Sequence, residues 1–534
     1  MRRVALPVVL ALALTSCGDS EPPPPAPRTL TAAIRSLGSL DPLSGGSVEG
    51  TGGEPVVMRQ VFEGLVSYDP LTLEPRPALA SGWSVDPEGR TFTFLLRSGA
   101  RFHNGREVGL DDVLFSLNRL ARAACAEDTS PVSGAPSYLL SLVVGYAEVA
   151  GACTATELAG LTAVGSNTLM VSLTEPWADF PTVLGHPATS VLPREELESD
   201  RDFAHHPVGT GPYAVERPWD GNGMRLERFD GWWGEAPEVE SVAVTAYRED
   251  SLAYLDLLQS KIHYAPVPAG RAREARRRFG DGGSAATVGL YTFGYNLRSQ
   301  RMAPLAFRRG LSRAADREAI SAAVYEGTRD PALGLVAPLE RVDEGPCADM
   351  CEFDLAEARR LIAEAYPDGP PEIVIGVPDE GSNPAVGEAL SRTFARAGVS
   401  ARVLSRPLLE HVRGLREGDV DLFQFGWIPA YPAPDALLNP LFRTGSADNF
   451  MAYSNPESDE LLERARSTLD PEERAERFLE AERRILADMP VLPLLWYRST
   501  VALDPRLVAR EGGALVDGLG LTSFADLRFD MTRS

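Results

Sequence analysis

The segment between residues 372 and 427 restricts the fold of this 534-residue chain more than any other. Its apolar runs and helical periodicities predict three strands alternating with two helices, over 372–377, 384–397, 399–404, 408–416 and 421–427. Strands and helices in this order favour an open parallel sheet with crossover helices, and therefore an α/β fold. Ligands bind beyond the carboxyl ends of the strands in such sheets, and Trp427 stands at such an end.

Other segments show simpler patterns. Residues 91–97 alternate apolar and polar side chains, which predicts a strand, and residues 111–122 carry the apolar face of a helix. Residues 123–165 are rich in small side chains and are interpreted as a subdomain or an insertion. The sequence Asp-Pro-Glu-Glu from Asp470 predicts the capped start of a long helix.

Length and composition exclude several classes of protein. A chain of 534 residues predicts two or three lobes. Hydrophobic residues make up 44% and charged residues 24%, which is ordinary for a globular protein and untypical of a disordered scaffold, a coiled coil or a multi-span membrane protein. A net charge of −23 argues against nucleic-acid binding, because phosphate contacts need clustered Lys and Arg.

The N-terminus has the pattern of an export signal. Arg2 and Arg3 precede an apolar stretch, Val4–Leu14, that is too short to cross a bilayer. The following Leu-Thr-Ser-Cys resembles the bacterial lipobox, in which the Cys receives a lipid and becomes the new N-terminus. We therefore predict a lipoprotein signal peptide over residues 1–16 and lipidation of Cys17. The alternative is an ordinary secretory signal in which this Cys occurs by chance.

A proline-rich linker follows the predicted lipidation site. Residues 17–29 hold five prolines, which favour extended polyproline II. Eleven residues of such a linker reach about 34 Å. The combination of a lipid anchor and a stiff spacer predicts a globular body held close to a membrane, on the side outside the cytosol.

Four further cysteines suggest two disulfides, because their number is even and the protein is predicted to be exported. Local pairing, Cys125 with Cys153 and Cys347 with Cys351, is favoured among the three possible pairings. The short spacing of Cys347 and Cys351 is also compatible with half of a metal site, although no second Cys or His pair lies near it in the sequence.

Catalytic signatures are missing from the sequence. It contains no G-x-S-x-G, no G-x-x-x-x-G-K-[ST] and no H-E-x-x-H motif, and its six histidines are scattered. No metal site, cofactor or catalytic residue is therefore predicted, although chance pairs among 75 carboxylates leave glycosidase chemistry open. Five arginines between residues 271 and 278 are interpreted as a solvated helix face, or else as a contact with a membrane partner or anionic headgroups.

Several short motifs occur in a fixed order along the chain: VFEGLV at 61–66, EPRPALA at 74–80, FHNG at 102–105, PVGTGPY at 207–213, WWG at 232–234 and GW at 426–427. In this order they resemble the extracytoplasmic solute-binding proteins of ABC importers, in the branch that takes dipeptides, oligopeptides and nickel chelates. The resemblance extends from about residue 30 to residue 500.

This resemblance implies a two-lobe periplasmic-binding-protein fold with an α+β subdomain inserted in the first lobe. The implied segments are lobe I over 30–290 with the insertion at about 76–185, lobe II over 291–490, and a return to lobe I over 491–534. Residues 291–297 and 491–497 would cross between the lobes. Such a protein performs no chemistry. It is expected to be a monomer that closes over its ligand and is recognised by ABC permease subunits.

The resemblance also suggests which residues contact the ligand: Trp427, Tyr431, Glu63, Tyr295, Asn296 and Asp435. Peptide-binding relatives hold the ligand's amino group with an Asp three residues after the Trp of the Gly-Trp pair, where this chain has Ala430. Either the ligand lacks a free amine or another carboxylate, such as Asp435, takes that role. For Trp427 and Tyr431 the alternative is packing in the core.

Four functions remain open at this point. The first is a lipid-anchored receptor that delivers peptides or similar small solutes to an ABC permease, and the second is a receptor for a metal chelate or an oligosaccharide. The third is a lipid-anchored hydrolase, for which the sequence shows no signature. The fourth is a sensor that reports ligand to a membrane kinase.

Overall fold

The computed structural model describes residues 29–45, 53–125, 136–199, 202–339 and 344–533. The predicted signal peptide, Cys17 and nearly all of the proline-rich linker lie outside these residues. Among the helices within them, none has both the length and the apolar character needed to cross a bilayer.

Lobe I is built from the N-terminal half of the chain. Its strands are β1 (Thr29–Ile34), β2 (Val66–Tyr68), β3 (Pro75–Pro77), β4 (Ala80–Val85), β5 (Thr91–Leu96), β6 (Leu161–Val164), β7 (Thr168–Ser172), β8 (Tyr213–Arg217), β9 (Gly223–Arg228), β10 (Ser241–Ala246) and β11 (Tyr264–Pro266). Its helices are α1 (Pro42–Gly45), α2 (Glu54–Val61), α3 (Leu110–Arg122), α4 (Phe180–Val183), α5 (Arg194–Leu197), α6 (Asp250–Leu258) and α7 (Ala272–Phe279). Single turns of 3-10 or π helix lie at Ala123–Cys125, Ser137–Leu140, Ala147–Gly151 and Pro187–Thr189.

Lobe II follows the long strand β12 (Ser284–Tyr295) and a 3-10 turn at Gln300–Met302. Its helices and strands are α8 (Leu305–Ala314), α9 (Arg317–Tyr325), β13 (Asp330–Pro331), α10 (Ala348–Cys351), α11 (Leu355–Ala365), β14 (Ile373–Pro378), α12 (Asn383–Arg396), β15 (Ala401–Arg406), α13 (Leu408–Glu417), β16 (Leu422–Trp427), α14 (Asp435–Phe442), α15 (Pro456–Ser467) and α16 (Pro471–Asp488). The chain returns to lobe I through β17 (Val491–Leu503), β18 (Leu507–Ala509), a 3-10 turn at Phe524–Asp526 and β19 (Leu527–Phe529).

One sheet runs through both lobes, in the order β15-β14-β16-β12-β17-β11-β1-β10-β9-β8. The strands β12 and β17 pair antiparallel at its centre and extend from one lobe into the other. The proposed crossings, 291–297 and 491–497, overlap these two strands, of which β12 ends at Tyr295 and β17 begins at Val491.

The parallel part of lobe II agrees with the predicted order of strands and helices. Strand β14 pairs parallel with both β15 and β16. The helix α13 ends at Gly418, whose φ of 72° is the left-handed conformation that favours glycine at a helix end. The strand predicted from residue 399 begins only at Ala401, because the Val399 N–H donates to the Phe394 carbonyl and closes α12.

The buried side chains form separate cores. One core fills lobe II and includes Leu290 and Trp496 of the crossing strands. A second core lies beneath the sheet β4-β5-β7-β6 and the helix α3, which we call the inserted subdomain. Two more clusters pack on either side of the main sheet of lobe I. The inserted-subdomain core also contains Tyr431 and Ala436, which come from lobe II, so these two parts of the molecule are joined by apolar contact.

Two disulfides are present, Cys125–Cys153 and Cys347–Cys351, with Cα atoms 5.9 Å and 5.4 Å apart. These are the pairs that the sequence spacing favours. The helix predicted from Asp470 is α16, and the Asp470 carboxylate accepts the Glu473 N–H at 2.9 Å.

Candidate functional site

The crossing strands separate locally at the place where the lobes meet. Ala286 pairs with Arg498 and Leu290 with Trp496, so residues 287–289 stand opposite Tyr497 alone. This β-bulge breaks the regular ladder of hydrogen bonds. Bulges of this kind re-aim side chains and are common beside functional sites.

A cavity of about 280 Å³ opens above the bulge. Both lobes contribute to its walls, which consist of Pro55 and Val56 at the start of α2, the bulge residues Thr287 and Val288, Ile428 after β16, residues 497–499 of β17, and residues 519–521. The cavity thus touches lobe I, lobe II and both crossing strands. A ligand bound in it would contact every part that has to move if the lobes approach each other.

Two glycines make room for Tyr497. A Cβ added to Gly289 would lie 2.6 Å from the Tyr497 ring, and one added to Gly426 would collide with the Tyr497 hydroxyl. The glycine of the Gly-Trp pair is therefore needed for steric reasons, because the Tyr497 side chain lies directly against its Cα atom.

The residues after β16 connect the cavity to the rest of lobe II. The Trp427 indole N–H donates to the Ala436 carbonyl at 2.8 Å, which ties the two ends of the connection to α14 together. The next residue, Ile428, lines the cavity. Trp427 stands at the end of β16, as predicted, and its ring packs partly against the lobe II core; its contact with a ligand stays a prediction.

Tyr431 and Asp435 point away from the cavity, into a buried polar network with the inserted subdomain. The Asp435 carboxylate is 1% exposed and accepts hydrogen bonds from Trp177 at 3.0 Å, from Tyr431 at 2.7 Å and from Asn439 at 2.5 Å. The Arg466 guanidinium forms an ion pair with it at 3.3 Å. With four side-chain partners, Asp435 is not placed to replace the carboxylate that Ala430 lacks.

A second ion pair extends this network. The Arg474 Nε lies 3.0 Å from a carboxylate oxygen of Asp179, and the Ala178 N–H donates to the Arg466 carbonyl at 2.9 Å. Burial raises the pKa of Asp179 to about 6, against the opposing effect of Arg474. The inserted subdomain is therefore attached to lobe II by the Asp179–Arg474 ion pair, a side-chain and a backbone hydrogen bond, and an aromatic contact between Trp177 and Tyr431.

Glu63 lies at a different place, in lobe I, held by the two adjacent tryptophans. The Trp232 indole donates to one carboxylate oxygen at 3.1 Å and the Trp233 indole to the other at 2.9 Å. The Arg97 guanidinium stacks 3.9 Å from the Trp233 ring. Burial raises the pKa of Glu63 to about 7, although both indoles and Arg97 oppose the shift. Trp233 and Ala430 pack against the same core cluster, so Glu63 belongs to the wider surroundings of the connection after Trp427.

We expect Glu63→Gln to change how stability depends on pH. A carboxylate whose pKa is raised on folding favours the folded state when protonated, so wild type should lose stability as pH rises from about 4.5 to about 7. Urea unfolding of wild type and variant at about pH 5 and pH 8 measures this. The free energy of unfolding of wild type minus that of the variant should be larger at pH 5 than at pH 8. Equal differences at both pH values would contradict the assignment, and the exposed Glu157→Gln serves as control.

The structure does not support two of the predicted ligand contacts. Tyr295 is fully buried in the lobe II core, where its hydroxyl donates to the Arg308 carbonyl at 2.9 Å. The Asn296 amide donates to the carbonyls of Gly418 and Val420 and holds the loop after α13. Both side chains pack within lobe II, because they lie at or just beyond the end of β12, where the strand is already inside that lobe.

The sequence patterns missed the floor of the cavity. Thr287 and Val288 line it only because the strand bulges, and Arg498 and Ser499 only because β17 continues past Tyr497 into lobe I. Gly289 could have predicted the bulge, since an isolated glycine inside a strand pattern is typical of one.

Comparison with known proteins gives one family. A family model described as bacterial extracellular solute-binding proteins, family 5 middle, matches residues 74–449. The glutathione-binding protein GsiB of Salmonella typhimurium is 25% identical over 499 residues, which cover 91% of this chain and 92% of that protein. The dipeptide-binding protein of Escherichia coli is 25% identical over 492 residues, covering 88% and 89%.

Solved structures share the fold. HbpA2 from Haemophilus parasuis superimposes with a TM-score of 0.80 at 22% identity, covering 94% of this chain and all of that one. The periplasmic binding protein DppA of Helicobacter pylori, in complex with the peptide STSA, gives a TM-score of 0.70 at 22% identity, with 94% and 98% covered.

Proposed function

The chain belongs to the bacterial extracellular solute-binding proteins of family 5, and we propose that it is a lipid-anchored receptor that captures short peptides or similar small solutes. It would close around them by a hinge motion and deliver them to the permease subunits of an ABC importer. Membership of the family supports the coarser part, an extracytoplasmic solute-binding protein that is not an enzyme. The ligand class, the anchor and the closure are our proposals.

The observation that carries the proposal is the cavity at the crossing strands. Its walls come from both lobes, and its floor is the bulge in β12. A ligand that binds both lobes better when they are close shifts the population toward the closed form, and this differential affinity is all the mechanism requires. The described chain passes between the two proposed lobes through β12 and at the start of β17, and two such connections would allow this motion.

The lining of the cavity supports a ligand with both polar and apolar groups. Thr287, Arg498 and Ser499 offer polar atoms, whereas Val56, Val288 and Ile428 are apolar. A volume of about 280 Å³ is at the lower end of the range for small-molecule sites, which favours short ligands. The relatives named for dipeptide and glutathione binding point to the same class.

Native mass spectrometry of the purified protein, followed by denaturing identification of whatever is released, tests the ligand class. We expect a mixed set of short peptides. Scattering measured with and without such peptides should show a smaller radius of gyration when they are bound. A single released solute that is not a peptide would contradict the peptide proposal, and an unchanged radius at saturation would contradict hinge closure.

A receptor for a non-peptide solute is the second candidate. It is favoured by the absence of an amine anchor after Trp427, since position 430 is Ala and Asp435 is fully engaged by Trp177, Tyr431, Asn439 and Arg466. A metal chelate or an oligosaccharide needs no such anchor. The mass of the released solute separates the two candidates.

The anchor is tested by Cys17→Ala. Wild type is expected in the membrane fraction, because a diacylated Cys partitions into the bilayer, and the variant is expected in the soluble extracytoplasmic fraction. Immunoblotting of fractionated cells measures the distribution. A variant that stays entirely with the membrane although mass spectrometry shows its signal peptide removed would show that Cys17 does not carry the anchor.

A further inference from the structure

The helix α7 carries an excess of positive charge in an acidic protein. Residues 259–281, which include this helix, contain six basic and two acidic side chains, whereas the whole chain has a net charge of −23. Five of the six are arginines between residues 271 and 278, and all five are exposed. They do not serve the site between the lobes, because the described lining of the cavity above the bulge includes none of them. The arginines of α7 therefore form a separate surface.

Two of these arginines, Arg277 and Arg278, keep an uncompensated charge. Arg271 and Arg276 each form an ion pair with one acidic neighbour, at 2.6 Å and 2.7 Å. Among the residues that the structure describes, no carboxylate lies within ion-pair distance of Arg277 or Arg278. The Arg278 guanidinium donates to the Leu258 carbonyl at 3.3 Å, which fixes the end of α7 against the end of α6 without neutralising the charge. The last turn of α7 thus presents two exposed cations that can bind an anion.

The chain enters lobe I beside this end of α7. Strand β1 begins at Thr29, where the predicted linker ends. The Thr31 N–H donates to His263 Nδ1 at 3.0 Å, and the His263 N–H donates to the Thr31 carbonyl at 2.8 Å. His263 belongs to the short connection from α6 to β11, which starts after Leu258, the residue that Arg278 contacts. The predicted linker therefore leaves the body at the end of lobe I that carries the two uncompensated arginines.

A cavity of about 520 Å³ lies next to the same arginines. Its walls include Phe279, which follows Arg278 directly, the apolar side chains of Leu503 and Leu515, and Arg533 near the C-terminus. Apolar walls beside cations fit a molecule that has both an anionic headgroup and apolar chains. Anionic phospholipids have this combination, and surfaces that bind them combine basic with apolar side chains.

We propose that this end of lobe I, formed by the last turn of α7 and the adjacent cavity, docks on anionic phospholipids of the membrane that holds the anchor. The inference rests on the proposed lipid anchor and adds an orientation to it. An anionic surface repels the acidic body as a whole, whereas it attracts this end. A linker that reaches about 34 Å lets the body turn, and the contact through α7 would hold it in one orientation.

The test uses the whole chain with Cys17→Ala as the parent, because acyl chains would hold the protein on any vesicle. Flotation compares vesicles of phosphatidylcholine alone with vesicles in which about one third of the lipid is phosphatidylglycerol. Each basic side chain close to an anionic surface adds about fivefold to the partition coefficient, so the parent should prefer the anionic vesicles by about 10- to 30-fold. Arg277→Gln combined with Arg278→Gln should remove most of this preference, and so should an ionic strength of about 0.5 M.

Arg392→Gln combined with Arg396→Gln, at two exposed positions of α12 in lobe II, is the matched control and should keep the preference of the parent. A second measurement needs no substitution in α7: amide hydrogen exchange of residues 272–279 in acylated wild type should be slower on anionic than on neutral vesicles.

Equal partition of the parent between the two kinds of vesicle, or an undiminished preference in the variant that lacks both arginines, would overturn the docking surface. The same holds for equal hydrogen exchange on both vesicles, and a protein partner such as the permease would then be the alternative for these arginines. The anchor is judged separately by the fractionation of wild type and Cys17→Ala. Wild type found outside the membrane fraction would overturn the anchor, whatever the vesicles show.

Discussion

Arg317→Met is expected to lower the free energy of unfolding by about 3–5 kcal/mol, because it removes a buried donor that several carbonyls share. Arg317 is 3% exposed. Its guanidinium donates to the Pro493 carbonyl of β17 at 2.8 Å, to both the carbonyl and the hydroxyl of Ser312, and to the carbonyls of Ala315 and Cys351. One side chain thus joins a crossing strand, the end of α8 and the Cys347–Cys351 disulfide.

Urea unfolding followed by far-ultraviolet circular dichroism measures the effect. The control is Arg392→Met, which removes the same group from an exposed position and should change stability by less than about 0.5 kcal/mol. Burial lowers the pKa of Arg317 to about 10, so the side chain is still charged at neutral pH and the loss should be the same at pH 6 and pH 8. A loss below about 1 kcal/mol would show that the carbonyls find other partners.

Asp435→Ala is the second substitution with a large expected effect, again about 3–5 kcal/mol, because it leaves a partly buried Arg466 without its carboxylate. It also removes the acceptor of the Trp177 indole and of the Tyr431 hydroxyl. The Trp177 contact attaches lobe II to the inserted subdomain, so the variant should loosen that junction as well as lower stability.

Intrinsic tryptophan fluorescence during urea unfolding reports on this junction when the signal of Trp177→Phe is subtracted, because the chain has seven tryptophans. The exposed Glu476→Ala in α16 is the control for loss of one acidic side chain. A double-mutant cycle of Trp177→Phe and Tyr431→Phe measures the coupling through the shared carboxylate, which is expected to be 0.5 kcal/mol or more at about this separation. Additive single effects, together with a stable Asp435→Ala, would show that the network contributes little.

The elements of lobe II were predictable because their signals are local. Strands 372–377 and 421–427, the helix over 408–416 and the cap at Asp470 depend on neighbours within a few residues, and all four recur within one or two residues of the predicted bounds. Only the strand from 399 was displaced, by a helix-closing hydrogen bond of Val399 that apolar character does not reveal.

The candidate site was only partly predictable because its contacts are distant in the sequence. Asp435 looked available since its partner Trp177 is 258 residues away. Tyr295 was predicted to contact the ligand because the sequence does not show where along β12 the bulge lies, and therefore not how far Tyr295 is from it. Trp427 was located correctly at the strand end, since that position follows from the order of strands and helices alone.

The shared sheet gives the proposed closure the mechanics of a flexure. The strands β12 and β17 of the shared sheet extend from one lobe into the other, so the proposed closure would have to bend them. Such bending would concentrate at residues 287–289, where the bulge interrupts the ladder and where Thr287 and Val288 form the cavity floor. A ligand in this cavity would then lie close to the axis of rotation. Groups close to the axis would keep their contacts with the ligand in both the open and the closed state, and would therefore govern how long it stays bound. Groups far from Tyr497, at the end of the lever arm, would contact the ligand only in the closed state and would decide whether that state is favoured.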